Sequence, residues 1–274
     1  MTSVFDLLVV FLALAAAAFP SQMLLLDALG KMPAPKTLRY FGVPAIVLFI
    51  GLLLFFFTSN RVLFGAVTLG IGSGILATLV LDSVRIPGYL LGWMPMDLPM
   101  RFGMMILNHD TKLKLRVMSG VLGHVNEQLK QGVPAKALMN EKGFPRLPMR
   151  TVRQLLHPAF NEAMQDAGVP AWRVRASGYL WHYTNGASFG VIHVLLFGAN
   201  WFLTIGFGFL LAGTFLAILR FLIPPMRPGK RMPTVILLAH IGVILVLGFV
   251  FQAYLPPEAS DLSLLGQLTR LLNP

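Results

Sequence analysis

The sequence contains no cysteine, which excludes disulfides, thiolate metal sites and thiol nucleophiles. Charge is also scarce: only 12% of residues are Asp, Glu, Lys or Arg, against roughly 25% in ordinary soluble domains. Acids are the rarer sign, with 11 Asp and Glu facing 22 Lys and Arg. No GxGxxG following a strand, P-loop, HExxH or GxSxG occurs, so the common catalytic signatures are missing and enzymatic activity is left open. No cofactor is named by any motif.

What is abundant is apolar material. Hydrophobic residues make up 56% of the 274, and several separate runs are long enough to cross a ~30 Å hydrocarbon core. Six stretches qualify, at residues 4–26, 40–57, 62–84, 177–198, 200–224 and 233–254. The first carries Asp6 and Pro20, and the fourth carries two histidines. The pattern predicts an all-α integral membrane bundle of about six spans. Its organisation is read as helices 1–3 in residues 1–84, a roughly 90-residue amphipathic insertion at 85–176, helices 4–6 in 177–254 and a tail at 255–274.

Basic residues are not spread evenly. The loop 27–39 holds Lys31, Lys36 and Arg39, and the turn 220–233 holds Arg220, Arg227, Lys230 and Arg231. Residues 85–176 add thirteen basic side chains against six acids, so 20 of the 22 fall on one side of a six-span bundle; Arg61 and Arg270 are left for the other. Translocation retains Lys- and Arg-rich loops in the cytoplasm. Both termini are therefore expected outside, the long insertion inside, and the first helix uncleaved, as its start has no basic residue. The surplus of +11 then reads as a topology signal with affinity for anionic lipid headgroups, not as a nucleic-acid surface.

Within the insertion, the run RIPGYLLGWMPMDLPMR (85–101) is too broken for a span and too apolar for solvent, which suggests an interfacial or re-entrant segment. Met94, Met96, Met100, Met104 and Met105 cluster here. Thioethers ligate copper(I), but gap-filling is their commoner use. Apolar residues at helical spacing predict amphipathic helices over 113–132 and 149–168, the second with Pro158 inside to bend it. Leu264, Leu265, Leu268, Leu271 and Leu272 predict a short interfacial helix in the tail.

Ionisable side chains in a span cost roughly 2.5 to 3.5 kcal/mol on insertion scales, so each is a functional candidate. Here they are Asp82, His182, His193 and His240. Gly70, Gly74, Thr78 and Asp82 recur every four residues, a small-residue stripe that permits close helix contact and leads to the carboxylate. His182 and His193 share a helix face with Gly186 and Gly190 near it, but stand ~16 Å apart along the axis. Counted from the inner ends of their spans, Asp82, His182 and His240 lie within ~8 Å of one another in height. His193 lies nearer the outer leaflet. These three are thus the predicted site: a carboxylate and two imidazoles that relay protons, grip a polar ligand or ligate a divalent metal. His182 with His240 would be the pair for a haem. In the bland alternative Asp82 pairs with Arg85 or caps toward water, and each histidine bonds a neighbouring helix. Tyr179, Trp181 and Tyr183 read as an aromatic belt.

The runs GIGSGILATLVLDSVRIPGYLLGWMPMDLPMRFG, GYLWHYTNGASFGVIHVLLFG and LLAHIGVILVLGF contain Gly74, Asp82, Gly92, His182, Gly186, Gly190 and His240. In these runs the sequence resembles uncharacterised bacterial polytopic inner-membrane proteins. The resemblance implies location and architecture alone. The expected function is to bind or move a small polar ligand, ion or proton. The alternatives are a metal- or haem-dependent membrane oxidoreductase and a non-catalytic subunit docked on partner membrane proteins.

Overall fold

The computed structural model describes residues 4–139, 145, 147–222 and 231–272. The basic turn 220–233 falls largely outside them, as does Lys142; for Asp6 and Arg220 the side chains are not described. Every regular element among the described residues is helical: α1 Val4–Ala28, α2 Ala34–Thr37, α3 Val43–Ser59, α4 Arg61–Leu90, α5 Leu98–Ile106, α6 Asp110–Lys130, α7 Ala135–Leu138, α8 Met149–Asp166, α9 Ala171–Phe197, α10 Trp201–Leu222, α11 Arg231–Tyr254, α12 Pro257–Asp261 and α13 Leu264–Leu272. A π-helical turn, Leu38–Gly42, joins α2 to α3 without a break. Over the described residues all six apolar stretches are therefore helical.

Four of them are long and apolar enough to cross a membrane among the described residues: Leu7–Asp27, Ala34–Ser59, Arg61–Leu90 and Arg231–Tyr254. In α10 the side chains are described as far as Ala217, and Trp201–Ala217 is apolar. The 27 residues of α9 include Arg173 and Arg175 in its first turns and His182, Asn185, Ser188 and His193 further on, which dilutes its apolar character.

The chain divides into two compact units, one of Met1–Asp82, His182–Gly213 and Ala239–Pro274, the other of Ser83–Trp181 and Thr214–Leu238. The first is built on apolar side chains from its long helices: Val10 and Ala13 of α1, Phe56 of α3, Val67 of α4, Val191 and Leu195 of α9, Leu247 and Phe251 of α11. Exposed Ile46, Val47, Ile50 and Leu54 give α3 an apolar outer face suited to lipid. Leu265, Leu268, Leu271 and Leu272 are exposed along α13, as their spacing predicts for an interfacial helix.

In the second unit α4 does not stop at Arg85. It runs through Pro87 to Leu90, turns at Gly92, whose φ of +75° suits a residue without Cβ, and the chain restarts as α5. Met94, Met96, Met104 and Met105 are buried at 5% exposure or less, which makes them packing residues. The amphipathic helices 113–132 and 149–168 correspond to α6 and α8, which pack on each other and have Val117, Val121, Val152 and Leu156 among their buried residues. α8 continues through Pro158. On its wet side Arg116 bridges Glu162 at 3.3 Å and Asp166 at 2.5 Å.

Candidate functional site

The site begins with a backbone approach. A Cβ placed on Gly74 would overlap the carbonyl of Gly186; one on Gly190 would overlap the carbonyl of Gly70, and one on Gly186 the hydroxyl of Thr78. Only glycine fits there, so α4 and α9 touch backbone to backbone along the stripe that the four-residue spacing marks out. One turn beyond Thr78, where the small residues end, the stripe reaches Asp82, and one turn before Gly186 the facing helix presents His182.

There the two side chains meet. His182 Nε2 lies 3.0 Å from Asp82 Oδ1, and the hydroxyl of Tyr183 donates to Asp82 Oδ2 at 3.3 Å. Consecutive residues of α9 thus hold the two oxygens of one carboxylate. Asp82 is 5% exposed. A carboxylate so far from water is costly unless hydrogen-bonded or paired, and His182 and Tyr183 supply both kinds of partner. A proton on Nε2 points at Asp82 Oδ1 and so lies between the two groups.

Of the three predicted site residues, Asp82 and His182 are brought into direct contact. His240 is buried on α11. Gly242 of α11 lies against the side chain of Val80 on α4, so His240 and Asp82 each stand two residues from a shared contact, about 3 Å along their helices. They are at matching heights. Among the described residues no three His, Asp or Glu side chains form a group able to hold a metal ion; for metal, the trio Asp82, His182 and His240 has no support beyond the Asp82–His182 pair.

His193 belongs to another environment. It is fully buried, bonds Thr204 Oγ1 through Nε2 at 2.8 Å, stacks on Phe251 with ring centroids 5.1 Å apart, and meets Phe197 and Phe207 edge-on. Nearer the pair, Asn185 accepts a hydrogen bond from Ser21 of α1 at 3.1 Å, which ties a third helix to α9.

Two features escape the sequence reading. Tyr183, read as part of an aromatic belt, is a direct partner of Asp82. The i, i+3, i+4 spacing of Tyr179, His182 and Tyr183 was the available signal that they share a face. In the second unit Arg85 pairs with Asp97 at 2.5 Å, with the Tyr179 hydroxyl 3.3 Å from the guanidinium and 3.4 Å from the other carboxylate oxygen. Comparison of the chain with protein-family models, curated proteins and solved structures finds no match.

Proposed function

We propose that this chain is a six-span protein of a bacterial inner membrane that takes up and passes on a proton, or a small polar ligand carrying one, through the Asp82–His182 pair. The observation that carries the reading is a buried carboxylate whose two oxygens face an imidazole and a phenol, in helices otherwise given to apolar packing. Intramembrane ionisable groups are expensive, and two of them in contact form an exchangeable proton site. α9 and α10 complete the six spans in this reading. The basic asymmetry sets residues 85–176 in the cytoplasm and both termini outside. Anionic headgroups then face the basic loops, and neighbouring membrane subunits are further partners.

The test uses protons as the probe. Purified protein reconstituted into liposomes with an internal pH dye is placed under an imposed membrane potential. Wild type and His193→Ala should acidify or alkalinise the lumen faster than empty vesicles, and Asp82→Asn and His182→Ala should not. Equal flux in all four proteins would place proton movement elsewhere.

A further inference from the structure

The second unit contains a cavity of about 170 Å3 bordered by the end of α4, the approach to α5, α8 and the start of α9. Its charge is lopsided. Arg153 and Arg175 line it together with His157, while the one carboxylate among its described lining residues, Asp97, already holds Arg85 at 2.5 Å. Among the described residues neither Arg153 nor Arg175 forms an ion pair. Arg153 sits over the ring of Tyr89, 4.9 Å from its centroid, a contact that positions a guanidinium without neutralising it.

Apart from Asn161 and the Tyr89 hydroxyl the rest of the lining is apolar, with Leu156 and Phe160 buried. Beside the cavity, next to lining residues Tyr89 and Ala171, Leu90 and Trp172 are 69% and 68% exposed. Tyr89 is also the second-last residue of a helix apolar enough to span a membrane. Two guanidinium forks without an ion pair among the described residues, a largely apolar interior and a greasy rim match a phosphate attached to a hydrocarbon body better than they match a hydrated ion.

We propose that this cavity is a binding site for the phosphate of an anionic glycerophospholipid, held by Arg153 and Arg175, with the acyl chains lying outside against Leu90 and Trp172. The volume accommodates a phosphate and a few attached carbons and leaves the chains in the bilayer. Basic pockets next to helix ends take up anionic lipid headgroups on the cytoplasmic side in this way. The proposal stands independently of the Asp82–His182 reading.

The full chain, purified in detergent and stripped of lipid, is titrated with dihexanoyl phosphatidylglycerol, dihexanoyl phosphatidylcholine and inorganic phosphate, with binding read by native mass spectrometry. The phosphatidylglycerol should bind most tightly. The double variant Arg153→Gln/Arg175→Gln should weaken it about tenfold, a loss typical of charge-assisted contacts. Arg175 is exposed, so Arg175→Gln alone reads out binding in a chain whose melting temperature should be unchanged, with an expected loss of about threefold. Arg150→Gln, at an exposed arginine of α8 outside the cavity lining, should have no effect. An equal loss with Arg150→Gln, unchanged binding in both cavity variants, or inorganic phosphate binding as tightly as the lipid would overturn the proposal.

Discussion

His182 and His193 stand eleven residues apart on α9, on nearly the same face, and their surroundings are opposites. One imidazole meets a carboxylate that a tyrosine also holds; the other is sealed among three phenylalanines with a threonine hydroxyl as its partner. A carboxylate–imidazole pair has a proton to share and a charge to move. An imidazole bonded to a hydroxyl in an aromatic shell has no ionised partner with which to exchange its proton. The difference comes from the facing element: α4 supplies Asp82 at one level, and α10 and α11 supply Thr204, Phe207 and Phe251 at the other.

The largest expected effect strikes the contact that creates the pair. Gly74→Leu drives a side chain into the Gly186 carbonyl, where neither backbone can yield, so the cost should exceed the roughly 1 to 3 kcal/mol of ordinary overpacking. The protein should lose its monodisperse peak in size-exclusion chromatography. A normal peak and an unchanged melting temperature would mean that α4 and α9 are not in backbone contact.

His182→Ala should come next, at roughly 3 to 5 kcal/mol, since it removes the imidazole partner of a buried carboxylate. Adding Asp82→Asn to it should recover part of that loss in a thermal melt, because the buried charge is gone. His193→Ala removes a stacked ring and a hydrogen bond and leaves a hole, worth about 2 to 4 kcal/mol. It should add to Asp82→Asn within about 0.5 kcal/mol, as independent sites do. Strong coupling between those two would merge the environments contrasted here. The smallest effect should be Tyr183→Phe, at about 1 kcal/mol, since Asp82 keeps His182 as its partner; no change in melting temperature would remove Tyr183 from the site.

Much of this arrangement was legible in the residues. Four-residue spacing of Gly70, Gly74, Thr78 and Asp82 gave the contact face of α4, and Gly186 and Gly190 one and two turns from His182 gave its counterpart. Height in the bilayer separated His193 from the Asp82 level. Spacing reports rotation about a helix and distance along it, but not which helix stands opposite. That is why Tyr183 reads as a belt residue from its position alone, and why Asp97, across a turn closed by Gly92, is not visible as a partner of Arg85. The continuation of α4 past Pro87 was hidden for a related reason: proline signals a break locally, and burial of the following methionines and of Pro99 against Gly178 depends on packing that only the folded chain reveals.

The most direct test of the Asp82–His182 pair as a shared-proton site is nitrogen NMR of protein labelled at its histidine rings and embedded in nanodiscs. Resonances are assigned with His182→Ala and His193→Ala. Asp82→Asn should move the Nε2 signal of His182 and change its response to pH, because its proton partner has lost its charge, and should leave His193 where it is. An unmoved His182 signal, or equal shifts at both histidines, would contradict the account.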